Sequence, residues 1–331
     1  MNKILKYSLL TILILFLIFI GYFSLGTPPK QDNIKWGVNF SQKHTQNFGL
    51  DWQEVYSALL NDLGVKKIKV AVHWDLIEPE KGNYDFTDLD WQVAQAGERE
   101  AELLLAIGMK TPRWPECHLP QWAVGLSKEN QQRAILEMLE KIVSRYQNQS
   151  SVAAWQVENE PFFTFGVCPW ADEDFLKKEI DLVRLTDNPK RPVYISDSGE
   201  GSTWFKAARL GDIVDITMYR KAWFEQLDRY VDYPFRPIFY WRKAQIIKKL
   251  FDKEVICGEL QAEPWGPKLL YDSPLSEQEK TMDLIKFKEN IVFAEQTGLK
   301  EFYLWGSEWW YWLKVKQNQP EIWQEATKLF L

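Results

Sequence analysis

From Lys35 onward the chain alternates short apolar runs with longer stretches whose apolar residues recur at helical spacing. The runs 35–40, 66–73, 102–107, 152–157, 193–197, 213–218, 254–259 and 300–306 have the length and composition of strands buried on both faces. Between them, Val55, Leu59 and Leu63 form one apolar stripe. Ile135, Met138, Leu139, Ile142, Val143 and Tyr146 form a clearer one that follows the i, i+3, i+4, i+7 pattern. Ser276 followed by Glu279 reads as a capping box opening the helix before the last strand, and "PEIWQEATKLFL" reads as a closing helix. Strands that alternate with helices predict a parallel sheet covered by helices. The fold class expected is therefore α/β, a single (β/α)8 barrel over residues 31–331, with no linker or repeat dividing it. The longest irregular stretch, Tyr219 to Pro237, holds Trp223, Phe224, Tyr230, Tyr233 and Phe235. It predicts a long loop that either walls a ligand groove or packs its own aromatic rings.

Residues 1–30 break this pattern. After Lys3 and Lys6, the stretch from Tyr7 to Pro29 carries no charge and is dominated by Leu, Ile and Phe. Its apolar core is long enough to cross a bilayer and exceeds the roughly 7–15 residues usual in a cleaved signal peptide. The expectation is an uncleaved transmembrane helix with its basic end in the cytoplasm and the barrel outside, with a cleaved signal sequence and a secreted barrel as the alternative.

The net charge of −6, without clustered Lys or Arg, argues against a nucleic-acid partner. Seventeen tryptophans point either to a groove for flat amphipathic ligands such as sugar rings or to a Trp-rich core. Three cysteines make no disulfide scaffold. Cys257, inside an apolar run, reads as a buried thiol, whereas Cys117 and Cys168 lie in loops after successive strands and could pair outside the cytoplasm.

The chemistry concentrates in "VAAWQVENEP", from Val152 to Pro161, and "EVICGELQAEPWG", from Glu254 to Gly266. Each is an apolar run that ends in a carboxylate, and the carboxyl-terminal ends of barrel strands are where barrel chemistry sits. Two carboxylates from two strands are the minimum equipment for cleaving a glycosidic bond by double displacement. Alternation puts Glu158 on the same face as Glu160, and Glu263 competes in the same way with Glu259. Pro161 biases Glu160 toward an extended conformation at the barrel rim.

"NEP" closing the fourth strand, "GELQ" closing the seventh and "HWDLIEPEKGNYDF" after the second together resemble the retaining glycoside hydrolases of clan A, which include cellulases, mannanases and β-galactosidases. The resemblance spans the whole soluble part. It implies that Glu160 is the general acid/base, that Glu259 rather than Glu263 is the nucleophile, and that Asn159 bonds the sugar 2-hydroxyl. It further implies that Tyr219 bonds the nucleophile and that Trp305 forms a platform under the sugar. His73, Trp74, His118 and Glu263 are expected as further substrate contacts. Lys69 stands where many relatives keep an Arg, so a point charge replaces a planar fork.

With only His44, His73 and His118 at no ligand spacing, no metal is expected. No Gly-rich phosphate loop follows the last strands and no Gly-x-Ser-x-Gly is present, so no cofactor and no serine nucleophile are expected. The reading is a glycosidase acting on an oligo- or polysaccharide. The same carboxylates would also serve a transglycosylase, and the same groove a non-catalytic carbohydrate receptor.

Overall fold

The computed structural model describes residues 3–331 apart from the side chains of Lys3, Ile4 and Lys6, so the charges expected to orient the N-terminal segment lie outside the described residues. Parallel strands Lys35–Phe40, Lys67–Ala71, Glu102–Ile107, Val152–Val157, Val193–Asp197, Ile213–Met218, Glu254–Gln261 and Glu301–Trp305 close into one barrel in sequential order. They are numbered here first to eighth. Each coincides with an apolar run, but the second stops at Ala71, short of His73, and the seventh continues past Glu259 to Gln261.

Strand alternation builds two separate packings. Leu103, Leu105 and Ile107 point outward into the large core shared with the helices, and Leu104 points inward to meet Ala154, Ile256 and Tyr303 inside the barrel. Further along the same strands the inward positions turn polar: Gln156 follows Ala154, and Glu259 follows Ile256. Seven tryptophans (Trp74, Trp155, Trp204, Trp305, Trp309, Trp310 and Trp323) are buried, so much of the surplus serves packing.

Two sequence expectations change. The helix Leu284–Glu295 is capped by Asp283, which accepts from the Lys286 N–H; Ser276 lies inside a separate turn, Leu275–Gln278, opened by Pro274. Proline presets the backbone for a first helical turn, so that turn forms on its own rather than as the start of the longer helix. The stretch 219–237 is not one irregular loop. Lys221–Phe224 and Arg229–Asp232 pair as an antiparallel hairpin, with Trp223 facing Tyr230 at 5.1 Å. Aromatic cross-strand pairs stabilise so short a ladder. The Trp223 N–H also donates to the Trp265 carbonyl, which ties the hairpin to the loop after the seventh strand.

A further local feature lies in the seventh strand. Cys257, a buried free thiol, faces the outer core, so strict alternation would turn Glu259 outward as well. Instead Ile216 pairs with Cys257 and Thr217 with Glu259, which leaves Gly258 as an extra residue; the register with the eighth strand shifts at the same place. The bulge reverses the parity and brings Glu259 inside the barrel.

The helix Lys3–Ser24 precedes the barrel, and its segment Tyr7–Ser24 is apolar and long enough to cross a membrane. Residues 7–20 are exposed. Contact with the barrel is made at the helix end, where the Phe23 ring lies 5.8 Å from Phe239 and Arg236 donates to the Ser24 carbonyl at 3.2 Å.

Gly258 has no room for a side chain: a Cβ there would lie 1.9 Å from Asp215 Oδ1, and Asp215 is held by the fully buried Lys69 at 3.0 Å. Gly258→Ala should therefore lower stability by about 1–3 kcal/mol, the usual cost of overpacking a filled interior. Urea unfolding followed by circular dichroism measures this, and an unchanged midpoint would mean that the bulge tolerates a methyl group.

Candidate active site

The fourth strand ends at Val157, and both Glu158 (φ 59°) and Glu160 (φ 38°) adopt left-handed backbone. The extended conformation expected of Glu160 is overruled. Three hydrogen bonds hold the turn: Glu158 N–H to the Ile107 carbonyl at 2.9 Å, Asn159 N–H to the Lys110 carbonyl at 2.6 Å, and Glu160 N–H to Ser196 Oγ at 2.7 Å. Non-glycine residues in this region are uncommon and cluster at functional sites. Because the strand is over, period two no longer applies and the two glutamates part. Glu158 turns back to accept the Met109 and Lys110 N–H groups, each at 2.7 Å. Glu160 is half-buried, among the carboxylates of Glu259, Glu116 and Glu200. Desolvation, then repulsion from Glu259 and Glu116, pushes its pKa well above the usual carboxylate range.

Glu259 is buried in a different setting. Tyr219 donates its hydroxyl to Oε2 at 3.1 Å, while Lys69 Nζ stands 3.8 Å from Oε1. Burial raises the Glu259 pKa, and the Lys69 charge and the Tyr219 hydroxyl pull against it. Lys69 keeps its proton: burial works against it, but the charges of Asp215 and Glu259 more than offset this and raise its pKa. Glu263 lies apart from this group, in an ion pair with Arg113 and 3.5 Å from His44 Nε2. Although burial raises its pKa, Arg113 and His44 bring it below the usual value.

The other residues expected here divide. Asn159 donates to Glu116 Oε2 at 3.0 Å and accepts from Gln156 at 3.1 Å. Trp305 is buried with the Arg113 guanidinium 3.9 Å above its ring, and Arg113 also reaches Glu308 at 3.0 Å. His73 lies between Ser41 Oγ and Thr111 Oγ1, each at 3.0 Å, and its ring packs at a tilt against His118, with centroids 3.9 Å apart. His118 contacts Lys43 and the Arg113 carbonyl. Burial keeps both rings neutral, lowering His118 to about 3. Trp74 does not join the cluster. It is fully buried, its indole N–H donates to Glu78 at 2.9 Å, and Trp122 packs against it.

Sequence reasoning missed Arg113, Glu116, Glu200 and Trp265. The first two sit in "TPRWPECH", where the histidine drew attention, and Trp265 sits in "AEPWG". Trp265 packs against Tyr219 at 5.2 Å and Phe165 at 5.6 Å, and Phe165 meets Trp114 at 6.0 Å, so aromatic rings run from the rim toward Glu259. Trp170, by contrast, packs on Phe175. Cys117 and Cys168 are joined as a disulfide, with Cα atoms 5.2 Å apart. Among the described residues, no group of three or more His, Cys, Asp and Glu is arranged to hold a metal ion.

A model for glycoside hydrolase family 42, described as beta-galactosidase, matches residues 46–179, which include Asn159 and Glu160. The chain resembles the clan A glycoside hydrolases. It is 27% identical over 190 residues to a β-galactosidase of Clostridium cellulovorans, a match covering 51% of this chain and 28% of that protein. The chain thus spans less than a third of the length of the curated relatives it matches. Among solved structures, a GH5_18 protein of Bifidobacterium longum superposes with a TM-score of 0.60 at 15% identity, covering 83% of this chain and 70% of that one. Xylanase 10B of Thermotoga maritima gives 0.58 at 17% identity, covering 89% and 95%. At these identities the shared property is the barrel fold.

The Lys69–Asp215 pair yields a stability test. Lys69→Met would leave Asp215 buried without its cation, a loss of about 3–5 kcal/mol. Burial already raises the Asp215 pKa in the folded protein, and removing Lys69 raises it further. A carboxylate raised in this way costs stability above its folded pKa and ceases to do so once protonated in both states. The deficit relative to wild type should therefore shrink as pH falls from neutral toward about 4. Denaturation midpoints across that range measure it; equal stability at neutral pH would remove the pair from any supporting role.

Proposed function

We propose that the barrel is a retaining glycoside hydrolase that cleaves O-glycosidic bonds of oligo- or polysaccharides. The observation that carries this reading is the contrast between two carboxyl groups at one barrel mouth. Glu160 lies among other carboxylates that push its pKa well above the usual range, whereas Lys69 and Tyr219 favour the ionised form of Glu259 against its burial. Double displacement needs one protonated and one ionised group at the same pH.

Tyr219 bonds Oε2 of Glu259, while Oε1 has no hydrogen-bond partner among the described residues and is free to attack the anomeric carbon. Glu160 protonates the departing oxygen as the glycosyl–Glu259 ester forms. It then takes a proton from water, which displaces Glu259 and releases the sugar. With Arg113 over Trp305, the stacking surface for the sugar passes to the rings that lead outward, Trp265 and Phe165. β-Galactosides are the first substrates to test, since the curated relatives are named β-galactosidases. The N-terminal apolar helix acts as an anchor that holds the barrel outside the cytoplasm, where a disulfide persists.

A screen of aryl glycosides and β-linked oligosaccharides tests the mechanism. Glu160→Ala should slow substrates with poor leaving groups by about 10²–10⁴-fold and activated aryl glycosides far less. Azide should restore turnover by attacking the intermediate from the vacated side. Glu259→Ala should abolish turnover of both. In wild type, kcat/KM should fall on the basic side as Glu160 loses its proton, at a pH above the usual glutamate range. Sugar binding without turnover in wild type would leave a carbohydrate receptor instead, and loss of turnover in Glu263→Ala but not in Glu259→Ala would reassign the nucleophile.

A further inference from the structure

The stretch 110–118, after the third strand, touches the centre repeatedly. Lys110 Nζ donates to the carbonyls of Glu160 and Phe163, and Arg113 covers Trp305 while pairing with Glu263 and Glu308. Between them stands a carboxyl group that the two-carboxylate mechanism does not use. Glu116 is only 5% exposed, and burying an acid costs stability unless something compensates.

Its place is over-determined. Glu116 has left-handed backbone (φ 73°); its N–H donates to the Arg113 carbonyl at 2.7 Å, and its carbonyl accepts the Thr111 N–H at 2.9 Å. Gly166 packs so closely that a Cβ there would lie 2.5 Å from the Glu116 Cβ. The next residue, Cys117, is bonded to Cys168, two positions after Gly166. Held this way, Glu116 presents Oε2 to Asn159 Nδ2 at 3.0 Å.

We propose that Glu116 is a positioning residue of this centre: it orients the Asn159 carboxamide and keeps the proton on Glu160, and the Cys117–Cys168 bridge holds it there. The proposal rests on the reading of Glu160 as the acid. Asn159 has two amide hydrogens and its oxygen is engaged by Gln156, so binding one hydrogen to Glu116 aims the other at a ligand and strengthens it as a donor. Burial pushes Glu116 up to about 8, and repulsion from Glu116 is among the causes that raise the Glu160 pKa, so an ionised Glu116 opposes loss of the Glu160 proton. The charged and titratable groups around this pair are Lys110 and Arg113 on the same stretch, Lys69 on the second strand, Glu200 after the fifth, Tyr219 and Tyr233 beyond the sixth, and Glu259 on the seventh. Most are also present when Glu116 is neutralised, so its own contribution can be isolated.

The test is the pH profile of kcat/KM for the full chain. Removing a negative charge lowers the Glu160 pKa, so Glu116→Gln should move the basic limb to lower pH by about 1 unit. Cys168→Ala, or wild type treated with a phosphine reductant, should move it in the same direction, because Glu116 is released. A basic limb unchanged in Glu116→Gln overturns the proposal. A shift in Glu116→Gln with none on breaking the bridge overturns the part assigned to the disulfide. If wild type turns over no glycoside, the hydrolase reading fails. The proposal is then decided by the infrared band of protonated Glu160, identified by its loss in Glu160→Gln: titration at lower pH in Glu116→Gln supports it, and unchanged titration overturns it.

Discussion

A lysine ammonium buried inside the barrel is the constraint from which much of this structure follows. Lys69 is fully enclosed, and an enclosed charge without a partner costs several kcal/mol. Asp215 on the sixth strand meets it at 3.0 Å, and there its carboxylate fills the space where a side chain at position 258 would stand. That position must be glycine, and the extra backbone residue it contributes turns Glu259 inward to face the same ammonium. One ion pair thereby ties together the second, sixth and seventh strands and sets the direction of a third charged group.

The same logic sorts the other acids at the barrel mouth. Glu263 and Glu308 share Arg113, and Glu158 is bound by two backbone N–H groups. Glu259 has Lys69 and Tyr219. Glu160 faces Glu259 and Glu116, while the Lys110 ammonium is spent on carbonyl oxygens, and so its pKa is pushed well above the usual carboxylate range. Chemically identical side chains diverge because of what each one faces.

The barrel was legible because each strand is an apolar run and each covering helix keeps its stripe. Both are patterns of side-chain burial, and burial is what a sequence records most directly. Glu160 and Glu259 were picked out by motif, with Glu158 and Glu263 unresolved by alternation. What separates these pairs is backbone geometry: left-handed residues after Val157, and the end of the seventh strand at Gln261, beyond which Glu263 turns to Arg113. Neither leaves a periodic mark. Arg113 and Glu116 were illegible for another reason. They act through partners more than a hundred and about forty positions away, respectively, and such pairing has no local signature. Trp74 shows the converse error, since an aromatic residue beside a strand end reads as a ligand contact until its burial is known.

The Cys117–Cys168 link also changes the connectivity of the molecule. Residues 117–168 form a covalent ring that contains the whole fourth strand and the helix Lys128–Tyr146. Val124, Phe163 and Val167 are among the exposed positions within it, so the ring passes through surface where a protease can reach it. One cut there opens the ring without dividing the molecule, and the segment bearing Glu160 stays joined to the rest of the barrel. The rim can thus survive a nick that would split an unlinked chain in two.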